Sequence, residues 1–214
     1  MVLLLSDPRV AQVPVADCGD PVISFPAVIG GSISGAVDGV VRVRRGLAAR
    51  LVEAAMSLGD GLSLKIIEGH RSAHAQLRII DTYATELRRL HPELDRAEVT
   101  RLSSRFVAPL GVAPHVAGAA VDLTLVGPDL EELDLGTPID ATPEQSAGAC
   151  YFAATNISAQ ARANRDRLAA ALSGAGLVNY PTEWWHWSYG DRYWAAMGGH
   201  SHAIYGPITE AHAA

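Results

Sequence analysis

The most constraining feature of the sequence is a short apolar segment, Ala120–Val126, in which Asp122 is the only charged residue. Such a segment is typical of a buried strand. A carboxylate buried in it costs several kcal/mol unless a cation or strong donors compensate its charge. We therefore expect a compensating group at Asp122, and zinc shared with His115, from the preceding loop, would provide one. The alternative is that Asp122 caps a turn or pairs with an arginine, with His115 on the surface.

A second segment predicts a dry environment around His186. All four tryptophans of the chain lie within about a dozen residues of one another, at Trp184, Trp185, Trp187 and Trp194. A neutral imidazole whose neighbours exclude water is a good zinc ligand. Glu183 lies three residues before His186, so the two share a site only if Glu183 precedes the strand or sits across a bulge. The alternative is an aromatic core strand with one hydrogen-bonded histidine.

Together these residues match the donor set of a catalytic zinc site. Two histidines and one aspartate supply three protein ligands and leave a fourth position open. A neighbouring glutamate, Glu183, would take a proton from the attacking water and pass it to the leaving amine. Arg71, at the predicted end of a strand, would stabilise the oxyanion. The helical H-E-x-x-H pattern is absent, which excludes a thermolysin-like or metzincin-like site.

Three motifs resemble those of the VanX-type D-alanyl-D-alanine dipeptidases, which are zinc D,D-peptidases that share a fold with the hedgehog signalling domain. The motifs are Gly69–Arg71, Ala113–Asp122 and Glu183–His186, within a match from about Val37 to Trp194. The resemblance implies one zinc ion per chain and a metallopeptidase activity. The implied roles are metal ligation by His115, Asp122 and His186, general-base catalysis by Glu183 and transition-state stabilisation by Arg71.

The resemblance also implies that Asp140 binds the free ammonium group of a dipeptide substrate. The alternative for Asp140 is a solvated carboxylate in an acidic loop. The sequence departs from the family pattern at Ala113, His70 and Ser72, where the family usually has serine, tyrosine and proline. These changes leave the zinc chemistry intact, but they leave the identity of the substrate open, because one lost polar contact can change preference by orders of magnitude.

Helix and strand patterns alternate irregularly, which predicts an α+β fold with a small, mainly antiparallel sheet packed with helices. Predicted strands cover residues 40–43, 62–68, 120–126 and 183–188, and predicted helices begin near Leu47, after Ser72, after Asp95 and at Ser158. The helix after Ser72 is expected to bury Leu77, Ile80, Tyr83 and Leu87. Residues 10–39 predict an irregular layer, and the last dozen residues a loosely held tail. We expect a single domain over residues 1–214 with its core at about 37–194.

The composition limits the classes of partner that the protein is expected to bind. The chain has 17 basic and 23 acidic side chains and a formal net charge of −6, which argues against nucleic acid as a partner. No stretch approaches the roughly 18 apolar residues of a membrane span, and no export signal is found before Ser6. We therefore expect a soluble cytoplasmic protein that binds a small dipeptide and no membrane, with its oligomeric state open.

The function expected from the sequence is hydrolysis of D-alanyl-D-alanine by a zinc dipeptidase. One alternative keeps the zinc site but acts on a different small amide or dipeptide, and the alanine at Ala113 motivates it. A second alternative is a non-catalytic, zinc-stabilised interaction domain, as in the hedgehog branch of the fold. The presence of both Glu183 and Arg71 argues against that alternative, since a structural site needs neither.

Overall fold

The computed structural model describes residues 2–30 and 39–208. Its helices are α1 (Pro8–Ala11), α2 (Arg45–Ser57), α3 (Ala73–Leu90), α4 (Arg96–Ser103), α5 (Ala159–Gly174) and α6 (Arg192–Gly198). Its strands are β1 (Val22–Pro26), β2 (Val28–Gly30), β3 (Val40–Arg44), β4 (Ser63–Glu68), β5 (Ala120–Val126), β6 (Val178–Asn179) and β7 (His186–Ser188). None of the helices in these two ranges is long and apolar enough to cross a membrane.

The main sheet has five strands in the order β2-β4-β5-β7-β6, and every neighbouring pair is antiparallel. Strands β1 and β3 form a second, antiparallel pair. The helices pack around these sheets without regular parallel crossovers. The predicted α+β class with an antiparallel sheet is confirmed.

Strand β5 is central in the sheet and buried on both faces. Its residues Val121, Leu123 and Leu125 belong to the main apolar core, together with side chains of α2 and α5. Because side chains alternate along a strand, Asp122 points to the opposite face of the sheet. The register of β5 with β7 places Asp122 directly opposite His186. The sheet thus separates an apolar side from a side that holds polar groups.

Helix α3 begins as predicted, since the Ser72 side chain accepts a hydrogen bond from the Ala75 amide at 3.2 Å. Tyr83 and Leu87 are buried on this helix as predicted, but the first predicted position is wrong. Leu77, predicted to be buried, is 49% exposed, whereas Gln76 is 1% exposed. The polar residue lies inside because its amide group finds partners there, which are described below.

The tryptophan-rich strand is shorter than predicted, because β7 begins only at His186. Residues 183–185 form a turn, in which the Glu183 amide donates to the carbonyl of Tyr180 at 2.9 Å. The prediction of a strand from Glu183 is therefore wrong for these three residues. The turn puts Glu183 before the strand, which was the condition for Glu183 and His186 to share a site.

The described residues near the two ends of the chain are more ordered than the sequence predicted. Within residues 10–39, β1 and β2 are regular strands, while residues 31–38 lie outside the described range. Tyr205, in the predicted loose tail, is buried, and its hydroxyl donates to Asp20 at 2.9 Å. Residues 209–214 lie outside the described range, as does Val37, near the predicted start of the core. That the chain is a single domain stays a prediction.

The turn-rich segment 127–149 is anchored by a buried arginine and by a partly buried ion pair. The guanidinium of Arg165 donates to main-chain carbonyls inside the segment and just after it, those of Leu135, Ala149, Tyr151 and Phe152. Glu144, inside the segment, accepts a hydrogen bond from the Tyr83 hydroxyl at 2.7 Å and pairs with Arg105. These contacts fix the segment against α3, α5 and the residues that follow α4.

We expect Glu144→Gln to lower stability near neutral pH but not at acid pH. Burial raises the pKa of Glu144, but hydrogen bonds from Tyr83 and a backbone amide and the charge of Arg105 outweigh it, so the pKa is lowered overall. A carboxyl with a depressed pKa stabilises the fold above its unfolded-state pKa, and this contribution is lost as the pH falls. Urea unfolding near neutral pH should show a loss of about 1 kcal/mol or less, because solvent screens the pair.

The matched control is Glu86→Gln, which removes an exposed pair with Arg89 on α3 and should change stability little at any pH. An equal loss of stability for Glu144→Gln at neutral and acid pH would contradict the charge-based explanation.

Candidate active site

A cavity of about 300 Å³ opens on the polar side of the sheet. Its lining includes all six residues that the sequence analysis selected, Arg71, His115, Asp122, Asp140, Glu183 and His186. The rest of the lining is mainly apolar and includes residues of α3, residues 106–108 and Leu5. The sequence analysis did not anticipate Leu5, because nothing local in the sequence indicates its long-range contact.

His115, Asp122 and His186 converge on one point. The Nε2 atom of His115 lies 3.1 Å from Nδ1 of His186 and 3.2 Å from Oδ2 of Asp122. Nδ1 of His186 lies 3.0 Å from Oδ1 of Asp122. Ligand atoms about 2 Å from a tetrahedral zinc ion are roughly 3.3 Å apart, so these distances fit such an ion. The donor set of two imidazoles and one carboxylate suits zinc and other divalent metals.

Each of the three side chains is held from outside the cluster. Nδ1 of His115 donates to the carbonyl of Gly69 at 2.7 Å, which leaves the lone pair of Nε2 facing the cluster. Asp122 and His186 face each other because β5 and β7 are paired at these positions. The three side chains are only 4–5% exposed. The cluster is therefore preorganised by the fold.

At Asp122 and His186 the electrostatics favour the protonation states that bind a metal, whereas at His115 burial lowers the pKa but the charge and hydrogen bond of Asp122 outweigh it and raise it. Burial raises the pKa of Asp122, but the charge and hydrogen bond of His115, with the hydrogen bond of His186, hold it well below its ordinary value. Burial lowers the pKa of His186 despite the opposing effect of Asp122. An ionised carboxylate and a neutral imidazole are the forms that coordinate metal ions.

Glu183 stands beside the cluster. Its Oε2 atom lies 3.7 Å from Nδ1 of His186, and its side chain is buried. Burial, together with the negative charges of Asp122 and Asp140, raises the pKa of Glu183 well above its ordinary value. A carboxylate with increased proton affinity is suited to act as a general base near neutral pH.

Asn179 fixes the turn that carries Glu183, and the sequence analysis missed it. Its Nδ2 atom donates to the carbonyls of Glu183 at 2.9 Å and of His186 at 3.0 Å. The two carbonyls flank the Trp184–Trp185 pair, so one amide holds both ends of the turn. A single asparagine between Val178 and Tyr180 carries no signal of this role in the sequence.

Arg71 lies three residues after the end of β4 and is hydrogen-bonded to the same cluster. Its backbone amide donates to the carbonyl of His115 at 3.1 Å. Its Nε donates to Glu68 at 2.7 Å, its Nη2 pairs with the other Glu68 oxygen, and its Nη1 donates to Gln76 at 2.9 Å. Burial lowers the pKa of Arg71, but Glu68 reverses the effect and raises it. Arg71 is therefore a fixed cation, and sequence analysis identified neither partner.

Asp140 reaches the cavity from the anchored segment 127–149. Its backbone is left-handed, with φ of 64°, a conformation uncommon outside glycine and often kept where neighbouring contacts require it. Burial, followed by the charges of Asp122 and Glu68, raises the pKa of Asp140. A carboxylate in this position offers an anionic contact at the wall of the cavity.

The three departures from the family pattern have different structural consequences. Ala113 lines the cavity with its methyl group. Ser72 caps α3 and does not line the cavity. The backbone amide of His70 donates to the carbonyl of Arg42 at 2.6 Å. Of the three, Ala113 is the change that directly alters the chemistry of the cavity wall.

Comparisons with known proteins show which family the sequence resembles. A family model described as D-ala-D-ala dipeptidase, Peptidase M15, matches residues 46–202. A D-alanyl-D-alanine dipeptidase of Synechocystis is 26% identical over 217 residues, which cover 86% of this chain and 87% of that protein. A D-alanyl-D-alanine dipeptidase of Escherichia coli is 35% identical over 72 residues, which cover 34% of this chain and 35% of that protein.

Among solved structures, a mutant of the vancomycin resistance D,D-pentapeptidase VanY in complex with Zn(II) is 16% identical. It covers 92% of this chain and 90% of its own, with a TM-score of 0.45.

We expect Gly69→Ala to destabilise the fold and weaken metal binding. A Cβ at Gly69 would lie 2.5 Å from the carbonyl oxygen of Arg42, so the backbone whose carbonyl orients His115 must shift. Overpacking of this kind costs about 1–3 kcal/mol. Thermal unfolding and the zinc content of the purified protein measure the two effects.

The matched control is Gly174→Ala, where a Cβ meets nothing within 4 Å in the last turn of α5. Alanine should be neutral or stabilising there, because it favours the helix. Unchanged stability and zinc content in Gly69→Ala would contradict the predicted clash.

Proposed function

Because the chain belongs to the D-ala-D-ala dipeptidase family Peptidase M15, we propose that it is a zinc dipeptidase that hydrolyses D-alanyl-D-alanine. The observation that carries the proposal is the buried set of His115, Asp122 and His186, whose ligand atoms lie 3.0–3.2 Å apart. Glu183 and Arg71 line the same cavity. The names of the two relatives support D-alanyl-D-alanine as the substrate.

We assign one zinc ion per chain to His115, Asp122 and His186. When bound, zinc lowers the pKa of a water molecule and polarises the carbonyl that the water attacks. The protein's part is to present one carboxylate and two ring nitrogens from two paired strands and an adjacent turn.

Glu183 is the proton carrier in this proposal. Its carboxylate accepts a proton from the attacking water as the bond between oxygen and the peptide carbon forms. The same carboxyl then gives the proton to the leaving nitrogen as the carbon–nitrogen bond breaks. Burial and the charges of Asp122 and Asp140 raise the pKa of Glu183, which supports its assignment as the group that takes up and then releases the proton.

Arg71 and Asp140 act on the two other charges of the reaction. The guanidinium of Arg71 donates hydrogen bonds to the carbonyl oxygen as negative charge develops on it. The carboxylate of Asp140 binds the free ammonium group of the substrate. A fixed anion in a cavity of about 300 Å³ favours a short peptide with a free amino terminus.

A second candidate is the same hydrolysis on a different small amide or dipeptide. The observation that favours it is the methyl group of Ala113 in the cavity wall, where the family usually has a hydroxyl. A wild-type rate on D-alanyl-D-alanine well above that on L,D-, L,L- and bulkier D,D-dipeptides would remove this candidate.

The experiment that tests the proposal is replacement of Glu183 by glutamine. We expect the release of D-alanine from D-alanyl-D-alanine to fall by about 10²–10⁴-fold, because the amide cannot accept the proton. The zinc content should stay near that of the wild type, since Glu183 is not assigned as a ligand. If hydrolysis survives while zinc stays bound, Glu183 is not the base.

We also expect Asp140→Asn to raise KM about tenfold or more with a smaller change in kcat, because the ammonium group loses its counter-charge. N-acetylated D-alanyl-D-alanine, which has no ammonium group, should be a poor substrate of the wild type. Glu131→Gln, an exposed change in the same segment, is the control. An unchanged KM in Asp140→Asn would disprove the assigned role.

A cytoplasmic location is part of this proposal. Fractionation of cells that express the chain, followed by a dipeptidase assay of each fraction, tests it. That the protein binds no nucleic acid stays a prediction from the charge balance, and that it binds no membrane stays a prediction from the lack of a long apolar stretch.

A further inference from the structure

We propose that Gln76 is a positioning residue that holds the guanidinium of Arg71 in its working orientation. The inference rests on the proposed function, in which Arg71 stabilises the developing oxyanion. Gln76 belongs to the first turn of α3, lines the cavity and is 1% exposed. It plays no part in the catalytic steps described above.

The amide of Gln76 is tethered at both ends. Its Nε2 donates to the carbonyl of Ala108 at 2.8 Å, and its Oε1 accepts from Nη1 of Arg71 at 2.9 Å. The first bond fixes which way the amide faces, because a carbonyl can only accept. The oxygen is therefore directed at Arg71, and the wall segment that contains Ala108 becomes part of the support of the guanidinium.

The hydrogen bonds of Arg71 explain why a neutral side chain is suited to position 76. A guanidinium has five N–H donors. Glu68 takes two of them and Gln76 takes one, so two remain for the cavity. Glu68 already supplies a negative charge, and a second carboxylate would weaken the attraction of Arg71 for an oxyanion. An amide fixes the guanidinium without neutralising it further.

The burial of Gln76 needs such an explanation. A buried amide is unfavourable unless its polar atoms are paired, and α3 turns Leu77 out to solvent while Gln76 faces inward. A residue that served only to pack α3 against the sheet would be apolar. A role in joining α3 to residues 106–108 is the competing explanation, and it would be independent of Arg71.

A double-mutant cycle separates the two explanations. Gln76→Leu keeps the volume and removes both hydrogen bonds, and we expect it to lower kcat for D-alanyl-D-alanine about tenfold with KM changed less than about twofold. In an Arg71→Ala background the same change should have no further effect on kcat. Gln12→Leu, at an exposed glutamine, is the matched control.

A second measurement does not depend on turnover. ¹⁵N NMR of the Arg71 side chain, assigned by its loss in Arg71→Ala, reports how strongly rotation of the guanidinium is hindered. We expect restricted rotation in the wild type and faster averaging in Gln76→Leu. If Gln76→Leu does not fold, the flexible and similarly sized Gln76→Met is used for both measurements.

The experiments distinguish a failure of the positioning role from a failure of the proposed function. An equal loss of kcat in both backgrounds, or unchanged guanidinium rotation, would overturn the positioning role. A wild type that cleaves no D,D-dipeptide would overturn the proposed function, while the NMR measurement would still decide whether Gln76 orders Arg71.

Discussion

The negative charge of Asp122 inside the central strand is the constraint on which the rest of the structure depends. Strand β5 can bury its apolar residues on one face only if the carboxylate on the other face is compensated. The neighbouring strand brings His186 opposite it, and the turn before β5 brings His115. The fold and the candidate site thus have the same origin, since pairing of β5 with β7 builds both.

The site is a connected unit, because the arginine motif and the histidine motif bind each other. His115 donates from its ring to the carbonyl of Gly69, and its own carbonyl accepts from the amide of Arg71. The end of β4 and the start of the segment before β5 are therefore locked together at the cavity. A displacement at either motif changes both the metal-binding geometry and the position of the guanidinium.

The sequence predicts the structure correctly where the determining pattern is local along the chain. The buried strand β5, the cap at Ser72 and the antiparallel α+β class follow from residue patterns, and the family follows from three motifs. Sequence reasoning failed where distant contacts decide. It placed Leu77 inside instead of Gln76, because the partners of Gln76 lie in other parts of the chain.

The same limit explains the residues that were missed. Glu68 and Asn179 are unremarkable in the sequence, and their roles arise only when a turn directs several carbonyl or guanidinium groups toward one side chain. The prediction of a strand beginning at Glu183 was wrong for a related reason. A hydrogen bond from the Glu183 amide to the Tyr180 carbonyl closes a turn there, and a tryptophan-rich composition does not reveal this turn.

The buried Arg165 has a consequence for how this protein can diversify. Its hydrogen bonds hold the segment that carries Asp140 in place, and they go to main-chain oxygens and not to side chains. The acceptors are the carbonyls of Leu135, Ala149, Tyr151 and Phe152. The shape of the segment therefore depends little on the identity of those residues. Mutations in its side chains can retune what the cavity accepts while the loop keeps its path, so new preferences can evolve on an unchanged scaffold.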